Sequence, residues 1–252
     1  MFLKDKGIVL KIKKLKEADK IVTVFAYENG KLNIVFKGVD KPTSKKLSAT
    51  QLGCYINFNC YQKNSESLPY AKEVEIINYF PKIRESKIKI LYLNYFIELF
   101  FEFTQFHQPD KKLFELLLEY LNEFENLNET KVENFMRFIE FFLINYSGIM
   151  PNLKECYNCK SKIENSGYFY LNENYILCDK CMREDFDNIF LDKNVYDALY
   201  MLENKNYKNF SFEVNDVLKI LFKSIIKNYL SKEIKSEKII TKIFSEINCI
   251  SP

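Results

Sequence analysis

Four cysteines in two pairs are the residues of this sequence whose spacing most clearly indicates chemistry. Two residues separate the thiols within each pair and eighteen separate the pairs, and the cysteines are Cys156, Cys159, Cys178 and Cys181. Two Cys-x2-Cys turns can place four thiolates around one tetrahedral metal ion. Because four thiolates leave no coordination position for water, the spacing predicts one structural Zn²⁺ rather than a catalytic one.

Other chemistries of thiols and metals fit this sequence poorly. A redox Cys-x-x-Cys is expected as a single pair in a βαβ setting, and a zinc deaminase needs a His-x-Glu motif. The only histidine, His107, is followed by Gln108 and Pro109 and is expected to be a helix cap or a surface residue. We find no glycine-rich phosphate loop and no defensible pair of catalytic carboxylates. We therefore expect a protein that is not an enzyme. A zinc or thiol enzyme ranks third, after the two binding functions given at the end of this subsection.

The elements that precede the cysteines are expected to be β-strands. Five short segments are rich in β-forming residues, and they cover residues 7–15, 20–27, 31–38, 54–62 and 71–80. In the first, Ile8, Leu10 and Ile12 should share one face, with Lys11 and Lys13 on the other. Five short strands without intervening helices predict a small closed barrel of the oligonucleotide-binding (OB) type. The remaining cysteines, Cys54, Cys60 and Cys249, are expected to behave as small buried hydrophobic residues.

From about residue 84 onward the apolar period changes to that of helices. The predicted helices cover residues 84–106, 110–124, 130–148, 193–202, 213–234 and 236–247. Asp110 and Thr130 are the expected N-caps of the second and third, with Glu133 completing a capping box. The fold class is therefore α+β multidomain: an N-terminal five-stranded OB-fold barrel over 1–80, then an α-helical domain over 81–252. A four-cysteine zinc finger at about 152–185, with a hairpin over 168–177, is inserted in the helical domain.

Positive charge is concentrated near the two ends of the chain. The net charge is only +3, but residues 1–80 hold 14 lysines against 8 acidic residues, and residues 219–242 hold 7 against 2. Such patches can bind polyanions even when the whole chain is nearly neutral. The lysines expected to bind nucleic acid are Lys11, Lys13, Lys14, Lys37, Lys41, Lys45, Lys46, Lys223, Lys227, Lys232 and Lys235. Aromatic rings that could stack on bases are those of Phe36, Tyr55, Phe58 and Tyr61, although most of these residues are expected to lie in the core.

The order of the barrel motifs resembles the RecO family of bacterial recombination-repair proteins. The motifs that carry the resemblance are Glu17-Ala-Asp19-Lys20, Asn29-Gly30-Lys31 and Lys37-Gly38-Val39-Asp40-Lys41-Pro42-Thr43-Ser44-Lys45. The resemblance continues through the helical domain, a four-cysteine finger present in many members, and the terminal basic segment 228–236. Asp40 departs from the family pattern, because this stretch is usually more uniformly basic, and it should weaken phosphate contacts there.

The resemblance implies a DNA-binding recombination mediator in DNA repair. Such a protein binds single-stranded and double-stranded DNA (ssDNA and dsDNA) and anneals complementary strands. It also engages the acidic and hydrophobic tail of single-strand-binding protein (SSB) and, with RecR, helps load RecA on coated strands. The alternative is a protein–protein adaptor on a zinc-finger and OB scaffold, with only incidental DNA binding. No segment resembles a signal peptide or a bilayer span, so a cytoplasmic protein is expected, and the resemblance implies that it associates with the nucleoid.

Overall fold

The computed structural model describes residues 2–39, 47–64, 66–184, 187–205 and 212–248. The chain divides into two compact units, Met1–Glu129 with Lys235–Pro252, and Thr130–Ile234. The first unit therefore combines the β-rich segment with helices from both ends of the helical region. The domain boundary after residue 80 stays a prediction.

A closed five-stranded barrel forms the N-terminal part of the first unit. Its strands are β1 (Phe2–Lys14), β2 (Lys20–Ala26), β3 (Gly30–Phe36), β4 (Tyr55–Tyr61) and β5 (Tyr70–Asn78). They follow the order β1-β2-β3-β5-β4, and β4 pairs back with β1. The closing pair of β3 with β5 is parallel and consists of Val35 opposite Tyr70, whereas the other neighbours are antiparallel. The predicted OB-like barrel is thus confirmed.

The face assignment predicted for the first strand was wrong. The register between β1 and β2 shifts between Val9 and Lys11, which marks a β-bulge. Val9 and Ile12 consequently join the barrel interior, whereas Ile8 and Leu10 are buried outside that cluster. A bulge adds one residue and so reverses the alternation of side chains beyond it. Lys11 and Lys13 remain exposed as predicted.

A buried carboxylate holds the turn between β2 and β3. The Asp5 side chain is 6% exposed and accepts hydrogen bonds from the backbone N–H groups of Glu28 and Asn29. It also accepts one from the Asn29 side-chain amide at 2.7 Å. Gly30 completes this turn with a φ of +67°, and a Cβ there would lie 2.3 Å from the carbonyl oxygen of Gln108. The Asn-Gly turn is therefore fixed both by its backbone conformation and by close packing.

The helices are α1 (Pro81–Glu85), α2 (Lys87–Phe103), α3 (Lys111–Asn126), α4 (Val132–Tyr146), α5 (Lys193–Glu203), α6 (Phe212–Leu230) and α7 (Lys235–Asn248). The single helix predicted over 84–106 is interrupted, because the Ser86 side chain caps a new helix by accepting from the Lys89 N–H. Asp110 caps α3 as predicted. The Thr130 prediction was wrong, because a 3-10 turn covers 129–131 and Lys131 occupies the N-cap position of α4.

The second unit contains α4, α5 and α6 together with a small sheet. The rings of Phe141 in α4 and Phe222 in α6 lie 6.0 Å apart. The sheet strands are β6 (Gly167–Tyr170), β7 (Tyr175–Leu177) and β8 (Asn188–Leu191), in the order β7-β6-β8. β6 and β7 form the predicted hairpin of the finger, and β8 was not predicted. Among the helices that the structure describes, none is long and apolar enough to cross a membrane.

Candidate metal centre and nucleic-acid interface

Two tight turns present the four cysteines. In the first, the Lys160 N–H donates to the Cys156 carbonyl at 3.0 Å, and Lys160 has a left-handed φ of +60°. The Cys156 N–H donates in turn to the Ser161 carbonyl at 2.9 Å. In the second turn, which follows β7, the Cys181 N–H donates to the Cys178 carbonyl at 2.9 Å. The hairpin of β6 and β7 therefore brings the two cysteine turns, which are distant in sequence, next to each other.

The four sulfur atoms are close enough to share one ion. All four Sγ atoms lie within 4.8 Å of one another, and Cys159 and Cys178 are separated by 3.7 Å. Zinc–sulfur bonds of about 2.3 Å in a tetrahedron require sulfur–sulfur distances of about 3.8 Å. Cys156 is buried, Cys178 and Cys181 are partly buried, and Cys159 is exposed. The donor set thus fits a tetrahedral metal ion at the edge of the unit.

Hydrogen-bond donors around the sulfurs favour thiolates over thiols. The Cys178 N–H and the Asn158 side-chain amide point at the sulfurs of Cys156 and Cys181, both at 3.4 Å. Hydrogen bonding from the Ser161 hydroxyl, 3.1 Å away, lowers the pKa of Cys159 to about 6. Asn158 lowers the pKa of Cys181, but hydrogen bonds with the neighbouring thiols and burial outweigh it and raise that pKa to about 11. Four neighbouring thiols without a cation cannot all ionise easily, and a divalent ion removes this conflict.

Three tyrosine rings of the finger stack in a row that includes Tyr157 of the first turn. The rings of Tyr157 and Tyr175 stack with centroids 4.6 Å apart, and Tyr170 lies 5.3 Å from Tyr175. Tyr170 is fully buried, and its hydroxyl accepts a hydrogen bond from the Arg183 N–H at 2.6 Å. The finger therefore has a row of stacked rings that runs from the exposed Tyr157 to the buried Tyr170.

The predicted lysines of the barrel are exposed where the structure describes them. Lys11, Lys13, Lys14 and Lys37 all lie on the surface of the first unit. The ammonium group of Lys11 lies 4.4 Å from the ring centroid of Phe101, and that of Lys37 lies 5.0 Å from that of Tyr70. Asp40, Lys41, Lys45 and Lys46 lie outside the described residues, as does Cys249.

The predicted lysines near the C-terminal end divide between the two units. Lys227 is exposed and pairs with Glu233 at 3.5 Å, Lys223 is partly buried, and Lys232 is exposed. These three belong to the second unit, whereas the exposed Lys235 begins α7 in the first. The backbone N–H of Lys235 donates to the Glu98 carboxylate, which caps α7. Both units therefore present basic side chains to solvent.

Two of the predicted stacking residues cannot contact a base. Phe36 and Phe58 are at most 1% exposed and belong to the barrel interior. Tyr55 and Tyr61 are partly buried and lie on the outer face of β4. The alternation of polar and apolar residues in β4 indicates that the two tyrosines face outward, because they share a face with two asparagines. Two further aromatic residues beside Tyr61, Phe2 and Tyr70, were missed because strand pairing brings them there.

A cavity of about 490 Å³ lies between β1, α2 and α7 in the first unit. Its walls are largely apolar, with Leu10, Ile97 and Ile239 among them. Two of the predicted lysines, Lys11 and Lys235, also line it, together with the carboxylate-bearing Glu98 and Glu102. The cavity thus combines apolar walls with charged groups of both signs.

Comparison with known proteins assigns both parts of the chain to one family. The family descriptions "Recombination protein O N terminal" and "Recombination protein O C terminal" match residues 1–80 and 84–238. The DNA repair protein RecO of Acetivibrio thermocellus is 27% identical over 96% of this chain and 95% of its own length. Those of Halalkalibacterium halodurans and Bacillus subtilis are 32% and 30% identical over 73% of this chain and 71% of their own lengths.

Proposed function

Because the chain belongs to the RecO family of DNA repair proteins, we propose that it is a recombination mediator that binds ssDNA and dsDNA. In this proposal it anneals complementary strands and, with RecR, helps load RecA onto strands coated by SSB. It would act at the nucleoid, and RecA would be an indirect partner. The observation that carries the DNA-binding step is the set of exposed lysines on a closed OB-like barrel.

The lysines supply affinity without reading sequence. Ammonium groups that neutralise phosphates release condensed counterions, which makes binding dependent on salt and largely blind to sequence. The lysines Lys11, Lys13, Lys14 and Lys37 are suited to this because all four side chains are exposed. Lys41, Lys45 and Lys46 follow β3 in sequence and are proposed to extend the same patch.

Two basic regions on one molecule can promote annealing. The barrel lysines belong to the first unit, and Lys223, Lys227 and Lys232 belong to the second. If each region holds one DNA strand, both complementary strands are bound to the same protein molecule. Tethering of this kind raises the effective concentration of the two strands for each other. The proposal requires no catalytic residue in the chain.

We assign one structural Zn²⁺ to the four cysteines. The sulfur separations, the amide donors and the four-thiolate set all suit zinc, and such a site has no open position for a reacting water. Cys156, Cys159, Cys178 and Cys181 would hold the ion and thereby fix the hairpin of β6 and β7. Its contribution would be to the stability of the second unit rather than to DNA affinity.

The cavity beside α7 is the proposed site for the SSB tail. A short peptide with apolar and acidic residues could place an apolar side chain against Leu10 and Ile97 and its carboxylates near Lys11 and Lys235. Reversing the charge of Lys235 to Glu should weaken binding of a labelled SSB-tail peptide, because one attractive ammonium is replaced by a carboxylate. An unchanged affinity would remove the cavity from this role.

The DNA-binding proposal is tested by the salt dependence of affinity. A variant with Lys37, Lys41, Lys45 and Lys46 replaced by Ala should bind duplex DNA more weakly. Its slope of log affinity against log salt should be flatter by about 0.9 for each lost phosphate contact. The matched control removes four exposed lysines outside the patch: Lys87, Lys112, Lys154 and Lys180.

The control variant should retain the affinity and slope of the wild type, because only the position of the removed charge differs. Equal losses in both variants would show that net charge, not the patch, determines binding. Binding to RecR or to the SSB tail without DNA binding at physiological salt would favour the adaptor instead.

A further inference from the structure

Three aromatic rings form one row across the outer face of the barrel. Phe2 of β1 stands opposite Tyr61 of β4, and Tyr61 stands opposite Tyr70 of β5. The ring centroids are 5.2 Å apart for Phe2 and Tyr61 and 5.5 Å apart for Tyr61 and Tyr70, both in edge-to-face contact. Residues directly opposite in adjacent antiparallel strands share a face, so the row follows from the register of the sheet.

Phe2 is exposed, Tyr61 and Tyr70 are partly buried, and lysines border the row. Phe2 is 77% exposed, which is unusual for a phenylalanine held in a strand of an ordered barrel. The ammonium groups of Lys37 and Lys72 lie 5.0 and 4.9 Å from the ring centroid of Tyr70. Both lysine side chains are themselves exposed. An open aromatic surface bordered by cations matches the chemistry of a nucleic acid strand, which alternates flat bases with anionic phosphates.

The neighbouring row on the same face limits the extent of this surface. Lys4 of β1, Asn59 of β4 and Glu73 of β5 stand opposite one another there. The Glu73 carboxylate accepts a hydrogen bond from the Asn59 side-chain amide at 2.7 Å. The carboxylate would repel phosphates on that side. Beside Glu73, this side of the face is therefore less favourable to phosphate than the aromatic row and the lysines beside it.

We propose that Phe2, Tyr61 and Tyr70 form a stacking platform for unpaired bases of ssDNA, with Lys37 and Lys72 contacting the adjoining phosphates. This assignment rests on the proposed DNA-binding function and adds to it residues that distinguish single strands from duplex. Unpaired bases offer their faces to aromatic rings, whereas the bases of a duplex are already stacked within it. Phe2 is the ring most available to a base because most of its surface is open.

Replacing Phe2 with Ser tests the platform directly. Affinity for a dT oligonucleotide should fall between about 5-fold and about 150-fold, the range expected when one base loses its stacking partner. Affinity for duplex DNA should change by less than about 2-fold, because phosphate contacts persist. The matched control is Tyr200→Ser in α5, an aromatic residue of similar exposure, 68%, which should change neither affinity.

A second measurement does not depend on mutation. Photocrosslinking with an oligonucleotide containing 5-iodouracil should yield adducts at Phe2, Tyr61 or Tyr70, located by mass spectrometry. The platform is overturned if the wild type binds ssDNA yet Phe2→Ser binds it equally well, or if Phe2→Ser weakens ssDNA and duplex binding alike. If the wild type binds neither form of DNA, the proposed function itself fails.

Discussion

Replacing Lys31 with Met should destabilise the barrel unit although the new side chain is nearly as long and equally able to fill the space. Lys31 is 4% exposed, and its ammonium group donates to the carbonyl oxygens of Phe101 and Thr104, both at 2.6 Å. The same group lies 4.3 and 4.7 Å from the ring centroids of Phe101 and Phe106. These carbonyls belong to the C-terminal end of α2, where helix carbonyls lack partners within the helix. Lys31 therefore joins β3 to the end of α2.

The expected loss is about 2 to 4 kcal/mol. Hydrogen bonds to a charged group contribute about 1.5–3 kcal/mol each, so two contribute about 3–6 kcal/mol before the cost of burying the ammonium group is subtracted. The helix dipole adds a favourable interaction with a cation at this end. Methionine restores the apolar contacts of the stem but leaves two buried carbonyls without this donor.

Hydrogen-exchange mass spectrometry in increasing urea measures this loss where it occurs. Peptides from β2 and β3 report the opening free energy of the barrel separately from the second unit. The control is Lys111→Met, which removes an exposed ion pair with Glu28 at 2.7 Å and should leave barrel opening unchanged. DNA affinity per folded molecule should be the same for Lys31→Met and the wild type, because Lys31 does not face solvent.

Two results would refute this reasoning. If the opening free energy of the barrel in Lys31→Met lies within about 0.5 kcal/mol of the wild-type value, the buried ammonium contributes no net stability, as is found for some buried charges. A loss of DNA affinity in a fully folded Lys31→Met protein would show that Lys31 acts in binding.

Three further changes have expected outcomes. Metal analysis of the purified protein should find one zinc ion per chain. The substitution Cys178→Ser should lower the stability of the finger more than it lowers the DNA affinity of the molecules that remain folded. A variant that stays folded yet loses DNA binding would show that the finger itself contacts DNA. Gly30→Ala should cost more than about 2 kcal/mol in urea unfolding, because a Cβ would lie 2.3 Å from the Gln108 carbonyl oxygen. Gly148→Ala has the same φ of +67° but nothing within 4 Å of the added Cβ, so it should cost only about 1 kcal/mol; equal losses would contradict the packing argument. Asp5→Asn should loosen the turn between β2 and β3, seen as faster amide exchange at Glu28 and Asn29, because an amide oxygen accepts these hydrogen bonds less strongly than a carboxylate; unchanged exchange at both residues would contradict this.

Local patterns in the sequence were sufficient for the main elements and the cysteine cluster. Strand alternation and the Asn-Gly turn depend on a few neighbouring residues, as does the cap at Asp110. The clustering of the two cysteine pairs likewise requires only that a hairpin bring the second pair back beside the first. His107 is exposed, in agreement with the prediction of a surface residue, and its backbone N–H donates to the Lys31 carbonyl.

The features that were missed depend on contacts distant in sequence. The bulge between Val9 and Lys11 is a product of the pairing with β2, and alternation alone placed Ile12 on the same face as Ile8 and Leu10. β8 is a short strand that is recognisable only once it pairs with β6. The row of Phe2, Tyr61 and Tyr70 requires the register of three strands. Burial of Phe36 and Phe58, in contrast, follows from the alternation in their strands and agrees with the expectation that most of these aromatic residues lie in the core.

Strand annealing is the most direct test of the proposed function. Complementary oligonucleotides are mixed with the zinc-loaded full chain, with and without saturating SSB from the same organism, and duplex formation is followed by fluorescence transfer between labelled strands. The proposed mediator accelerates annealing of both naked and SSB-coated strands, and its effect declines as salt is raised. Annealing rates no faster than without the protein, on naked and coated strands alike, would contradict the account.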